Sequence, residues 1–308
     1  MINMKRAIVD GATGAIGSAL VKELTDKGIE VLVLVRPKSS RKDNIMYKPA
    51  VSVLECGMDG YSTLENLTEK KYDVFYHLAW AGTAGPGRND MYLQTKNIRY
   101  ALDAVGVARR FGCKKFIGAG SQAEYGRVEG KLKPDTPTFP EMGYGYAKLC
   151  AGQMTKDYAH QLGMEHIWTR ILSIYGPNDG KQSMIMSTID KLLKGEVPKF
   201  TKGEQLWDYL YSDDAAKALH LLGEKGKDGK VYVLGSGQVH PLAEYICTIR
   251  DIVDPGAKIK IGAVPYSDRQ VMHLEADIGA IKRDTGWSPL VEFKEGIIKI
   301  VQSIENKK

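Results

Sequence analysis

Tyr144 and Lys148 stand four residues apart in Tyr144-Gly-Tyr-Ala-Lys148. On a helix, residues at i and i+4 share one face. A cation beside a phenol favours the phenolate, so the pair predicts a tyrosine whose pKa falls from about 10 towards working pH. Such a tyrosine gives or takes a proton at a carbinol carbon while a nicotinamide cofactor moves a hydride. Tyr146 has no lysine four residues on and is set aside. Ser121, at the end of an apolar run, supplies a hydroxyl for the substrate oxygen. In an open α/β sheet it would lie at the carboxyl edge, where such folds bind ligands.

A second constellation is Gly11-Ala12-Thr13-Gly14-Ala15-Ile16-Gly17, between a β-branched run and an amphipathic stretch. One glycine makes the tight turn, one admits a pyrophosphate and one lets helix pack on strand. The free N–H groups at the helix start then receive the phosphates. An acidic residue at the end of the second strand usually marks NAD, through the adenosine ribose hydroxyls. Here the run 31–35 ends in Arg36, followed by Lys38, Ser39 and Arg41. An arginine there can stack on adenine and pair with a 2′-phosphate, so NADP is the expected cofactor, with NAD the alternative.

The elements that position these groups are read from periodicity. Runs 6–9, 31–35, 51–54, 74–78 and 115–118 predict strands, most of them buried on both faces. Residues 16–27, 89–111, 144–162 and 183–193 predict helices. Strands alternating with helices imply right-handed crossovers and a parallel sheet. The expectation is an α/β chain with a doubly wound Rossmann sheet and a smaller C-terminal α/β lobe. Residues 1–176 form the dinucleotide-binding domain, a strand near 231–234 returns to it, and 177–308 mainly form the substrate-binding lobe.

The 308 residues are 43% hydrophobic, enough for a large core. No run of about 20 apolar residues predicts a membrane span, and the N-terminus lacks the plan of a secretory leader. Cys56, Cys113, Cys150 and Cys247 lie far apart, without metal-ligand spacing, so reduced thiols, no metal and a cytoplasmic location are expected. The net charge of +6 suits an anionic small molecule. Its basic residues are too scattered for nucleic acid.

These motifs, in this order, resemble the extended short-chain dehydrogenase/reductase family of nucleotide-sugar epimerases, dehydratases and reductases, over nearly the whole chain. Gly11, Gly14 and Gly17 match its glycine loop, with Asp10 where threonine is commoner. His77-Leu78-Ala79-Trp80 is similar to its cofactor-lining segment, with tryptophan for a small residue. Asn97 matches its helix asparagine, and Ser121, Tyr144 and Lys148 its catalytic set. Arg170 through Tyr175-Gly-Pro177 resembles its arginine…YGP segment, with Ser173 for asparagine. Trp207-Asp208-Tyr209 resembles the bridge to the substrate lobe, and Gly286-Trp-Ser-Pro289 its C-terminal turn.

The resemblance implies cofactor contacts from Leu78, Ala79, Trp80, Asn97, Tyr144 and Lys148, the lysine reaching the ribose. It implies a nucleotide-diphosphate sugar as substrate, met by Ser121, Tyr144, Ser173 and Arg269, the arginine after Pro265-Tyr266. It also implies a homodimer through the two long helices. Dehydratases of the family carry an Asp-Glu pair directly after the serine position. Gln122 and Ala123 stand there, with Glu124 one place late, so dehydration is not expected. Arg36 and the segments 121–126 and 270–272 resemble reductases, so NADPH-dependent reduction of a 4-keto-6-deoxyhexose at C4 is the leading expectation. An NAD-dependent 4-epimerase is the alternative. A non-catalytic cofactor-binding module is a third reading, disfavoured by the intact Ser, Tyr and Lys set.

Overall fold

The computed structural model describes residues 2–45, 49–67 and 70–306. The first half runs β1 (Arg6–Asp10), α1 (Ala15–Asp26), β2 (Glu30–Val35), β3 (Val51–Glu55), β4 (Val74–His77), α2 (Met91–Arg110), β5 (Lys115–Ser121), α3 (Gly143–Gln161) and β6 (Glu165–Ile171). The second half continues β7 (Ser173–Tyr175), α4 (Met184–Leu193), β8 (Leu206–Trp207), β9 (Tyr209–Tyr211), α5 (Ser212–Lys225) and β10 (Val231–Leu234). It ends with β11 (His240–Pro241), α6 (Leu242–Val253), β12 (His273–Leu274), α7 (Gly279–Thr285) and α8 (Phe293–Glu305).

Seven strands form one parallel sheet in the order β10-β6-β5-β4-β1-β2-β3. The order reverses between β1 and β4, so their carboxyl ends open a crevice at the switch point of the sheet. Buried apolar residues cover both faces. Leu20, Leu24, Leu219 and Leu222 of α1 and α5 pack on one, and Ala104, Val105, Val107 and Ala159 of α2 and α3 on the other. Fully buried parallel strands read as continuous apolar runs for this reason.

The helix expected over 89–111 begins at Met91. A short helical turn at 85–89 precedes it, and the Asp90 carboxylate caps it by accepting Leu93 N–H at 3.0 Å. β6 was not among the strands expected from periodicity, because its interior holds His166, Thr169 and Arg170. Each is paired: His166 Nε2 with Thr155 Oγ1 at 3.0 Å, Thr169 Oγ1 with the Gly118 carbonyl at 3.0 Å, and Arg170 Nε with Glu124 at 2.9 Å.

Beyond β6 the chain builds a second layer around Tyr175, Tyr211, Ile189, Ile249 and Ile297. Buried Asp208 holds it to the sheet by accepting N–H groups from Ser236 (2.6 Å), Gly237 (2.9 Å) and Ala276 (3.0 Å). Among the described residues, no helix is long and apolar enough to cross a membrane, and no group of three His, Cys, Asp or Glu side chains could hold a metal ion.

Candidate active site

β1 delivers the chain into Gly11, whose φ of 62° is left-handed. A Cβ there would fall 2.7 Å from the Ala79 nitrogen, and one on Gly17 would fall 2.3 Å from the Gly11 carbonyl oxygen. Both glycines are forced by backbone. Gly14 is different: a Cβ there would meet only the Gly11 carbonyl, at 3.6 Å. Packing leaves room at Gly14, directly over the start of α1, which has no capping side chain and no acid in its first turn. Uncapped N–H groups at the positive helix end, beside a residue kept bare, fit a dinucleotide pyrophosphate.

Asp10 accounts for its own departure from threonine. It is fully buried, and Oδ1 accepts the N–H groups of Leu78 at 2.6 Å and Ala79 at 2.7 Å. Oδ2 meets His77 Nδ1 at 2.6 Å and the Tyr61 hydroxyl at 3.2 Å. One carboxylate therefore welds the glycine loop to the segment after β4. Asn97 then grips Ala81, accepting its N–H at 3.1 Å and donating to its carbonyl at 2.9 Å. Buried in this role, Asn97 lines neither of the clefts described next.

The cleft beside the loop, about 390 Å³, is lined by Gly11, Thr13, Arg36, Arg41, Ala79 and Trp80 among others. That volume is in the range of small-molecule sites. Arg36 is exposed at its rim. The loop after β2 arches over the phosphate end. Asn44 donates to the Thr13 carbonyl at 2.9 Å, and Arg41 donates to the carbonyl of Asn178 from the second layer. Ala15 and Gly14 line the pocket under that arch.

A second cleft brings together Ile16, Leu78, Trp80, Ser121, Tyr144, Lys148 and Ser173. β5 ends at Ser121, and α3 presents Tyr144 and Lys148 on one face. Ser121 and Arg88 beside the Tyr144 phenol favour its ionisation, but burial outweighs them and raises the Tyr144 pKa above its ordinary value. This corrects the expectation that Lys148 lowers it. The Lys148 amine donates instead to the Ala119 carbonyl at 2.5 Å and lies 3.7 Å from the centre of the Trp80 ring, and 5.8 Å from that of Tyr144. Burial pushes Lys148 itself down to about 7, against the pull of Glu124 and Asp10.

Ser173 accepts the indole N–H of Trp207 at 2.8 Å. Arg269 lies elsewhere: it is exposed, donates to the Glu141 carbonyl at 3.3 Å and lines neither cleft. Glu124 is fully buried and turned away. It accepts Ser121 N–H at 2.8 Å, Trp168 Nε1 at 3.0 Å and Arg170 Nε at 2.9 Å. Two site residues were missed in the sequence. Gln94 accepts the Trp80 indole N–H at 2.9 Å, and Arg88 stacks its guanidinium 4.4 Å from the centre of the Tyr144 ring. The one signal for Arg88 is a lone cation directly after the Gly- and Pro-containing stretch 82–87.

The chain is similar to known proteins over its full length. UDP-glucuronic acid decarboxylase 1 of Xenopus tropicalis is 28% identical, aligned over 96% of this chain and 71% of its own. Among solved structures, a UDP-N-acetylglucosamine 4-epimerase from Methanobrevibacter ruminantium M1, in complex with UDP-N-acetylmuramic acid, superposes with a TM-score of 0.87 at 22% identity, covering 100% of both chains. A UDP-glucuronic acid 4-epimerase from Bacillus cereus, in complex with UDP-glucuronic acid and NAD, superposes with a TM-score of 0.84 at 21% identity, covering 98% of this chain and 100% of that one. The NAD dependent epimerase/dehydratase family matches residues 7–235. With the glycine loop, the serine at the end of β5 and the Tyr-Lys pair on α3 set around one crevice, the chain belongs to that family and is an NAD(P)-dependent enzyme of nucleotide-sugar chemistry.

Proposed function

We propose that the protein interconverts epimers of a UDP-activated sugar at C4. The observation that carries this reading is the absence, among the described residues, of any carboxylate lining the cleft around Tyr144, because Glu124 is held by Arg170 and Trp168. Loss of water across two carbons needs one group to remove a C–H proton and another to protonate the departing hydroxyl. A site with one phenol at the carbinol is suited to redox chemistry at a single carbon. The 4-epimerases among the solved relatives support the same choice.

A bound NAD(P), held by the glycine loop and the start of α1, would supply a hydride acceptor and donor for C4. Tyr144 takes the hydroxyl proton as the carbinol becomes a ketone and gives it back on the return. Ser121 holds the same oxygen. Lys148 meets the ribose, and the glycine loop with the start of α1 holds the diphosphate. Ser173, on the far wall of the cleft, faces the sugar nucleotide. We also read residues 1–176 with 231–234 as the cofactor lobe, and 177–308 as mainly the substrate lobe. The exposed side of α2 and α3, with Tyr92 and Met154, is read as a homodimer face. Four free cysteines suit the cytoplasm.

A second reading is NADPH-dependent reduction of a nucleotide-linked 4-keto-6-deoxyhexose. Arg36, Ser39 and Arg41 around the adenosine end of the cleft favour it. The protein is incubated with UDP-glucose, UDP-N-acetylglucosamine and UDP-glucuronate in catalytic NAD, and separately with dTDP-4-keto-6-deoxyglucose and NADPH. Epimerisation gives the C4 epimer with no net cofactor change, and reduction consumes NADPH mole for mole. Tyr144→Phe lowers turnover by roughly 10²–10⁴ in whichever arm is active. A dehydrated or decarboxylated product would overturn both readings.

A further inference from the structure

The cleft holds a cation that none of the sequence motifs accounts for. Arg88 sits in the turn 85–89 between β4 and α2, and three segments fix its guanidinium. Nη1 donates to the Thr83 carbonyl at 3.0 Å, Nε faces Met142 Sδ at 3.5 Å just before α3, and the plane lies 4.4 Å from the centre of the Tyr144 ring. Among the described residues no carboxylate pairs with Arg88. The nearby carboxylate, Glu124, is taken up by Arg170. A cation over an aromatic face is attracted by the ring's negative quadrupole, and more strongly once the ring itself carries charge.

We propose that Arg88 is a positioning residue of this active site: anchored to Thr83 and stacked on Tyr144, it fixes the ring in the cleft and sets a positive charge beside the phenol. The Lys148 amine, the other cation of the cleft, is engaged with Ala119 and Trp80. The inference rests on the acid–base role proposed for Tyr144. Burial and Glu124, in the turn after β5, oppose ionisation; Ser121, at the end of β5, and Arg88 favour it. Lys148, on α3 itself, stands 5.8 Å from the ring centre.

Tyrosine labelled with ¹³C at Cζ reports phenol ionisation by NMR without substrate or cofactor, and the Tyr144 signal is the one lost in Tyr144→Phe. In Arg88→Gln, which keeps a donor for Thr83 but loses the charge, the Tyr144 midpoint moves up by about one pH unit. Arg88→Lys restores most of it. Arg88→Met serves as a second neutral variant, and thermal melts identify any variant that fails to fold. A midpoint that stays in place in a folded neutral variant overturns the proposal. So does an equal shift in Arg88→Lys and Arg88→Gln, since a merely structural role would not distinguish charge. The separate turnover assay of Tyr144→Phe tests the acid–base role. Loss of turnover there with an unmoved midpoint defeats only the inference about Arg88.

Discussion

Beside the glycine loop the cleft is shaped largely by backbone atoms, and around Tyr144 by side chains. The glycine loop acts through carbonyls and N–H groups held in place by one buried carboxylate, Asp10. The cleft around Tyr144 is built from Ser121, Tyr144, Lys148, Trp80 and Arg88, joined by aromatic and cation contacts. A backbone-built site tolerates almost no added atom, because its geometry is the fold's own. A side-chain-built site tolerates exchange and changes its chemistry instead.

The largest effect expected is therefore on the cofactor side. Gly17→Ala places a Cβ 2.3 Å from the Gly11 carbonyl oxygen and 2.6 Å from the Ala12 Cα. Neither neighbour is a flexible side-chain end, so the loop or α1 must shift. The loss is about 3 kcal/mol in stability, at the upper end for overpacking, with cofactor binding abolished. Denaturant unfolding and calorimetry check this. Gly14→Ala is its counterpart, with space for the methyl group in the protein and none beside a pyrophosphate. It keeps stability within about 0.5 kcal/mol and still loses cofactor affinity. If Gly14→Ala binds NAD(P) as the wild type does, the loop's second glycine has no ligand to explain it.

The same contrast decides what the sequence could reveal. Three glycines between a β-branched run and an amphipathic stretch have one physical explanation, so the loop, the crevice and the parallel sheet are legible. β6 is hidden because His166, Thr169 and Arg170 look like surface residues until Thr155, Gly118 and Glu124 are brought to them. The spacing of Tyr144 and Lys148 correctly puts both in one cleft but cannot tell where the amine points. That depends on Trp80, a residue far along the chain. Arg88 carries no periodic signal at all. Its meaning exists only once α3 lies beside the turn 85–89.

An intermediate effect tests the side-chain wall. Burial lowers the Lys148 pKa from the usual lysine range to about 7, so the folded protein holds fewer protons at this site than the unfolded chain between about pH 7 and 10.5. The sign follows: stability rises with pH across that window, and the full penalty of the buried charge is felt below it. Lys148→Met removes the penalty and keeps the stem's packing. It raises stability at pH 6 by on the order of 2 kcal/mol, while the gain shrinks towards pH 10, as turnover is lost throughout. Thermal melts of both proteins at pH 6, 8 and 10 check it. A destabilised variant, or a gain that grows with pH, would mean that Ala119 and Trp80 hold the amine charged without strain.

The smallest effect expected lies where the backbone-built side meets solvent. Arg36 stands exposed at the rim of the cleft beside the glycine loop, with Ser39 and Arg41 also lining it. An exposed guanidinium facing a 2′-phosphate forms a charge-assisted contact, but water and salt screen it. The preference for NADPH over NADH is therefore about 1 kcal/mol in dilute buffer, or roughly fivefold in Kd, and fades towards 1 M salt. Arg36→Asp puts a carboxylate where the ribose hydroxyls need an acceptor and the phosphate meets repulsion, so the preference reverses. Because, among the described residues, no hydrogen bond or ion pair ties the Arg36 side chain to the glycine loop or Tyr144, NADH affinity stays within about threefold and turnover with the preferred cofactor is kept. Calorimetric titration of both cofactors into both proteins, at two salt concentrations, decides it. Equal affinities in the wild type at low salt would make these cations ordinary solvated charges and leave NAD, recycled on the bound sugar, as the cofactor of a 4-epimerase.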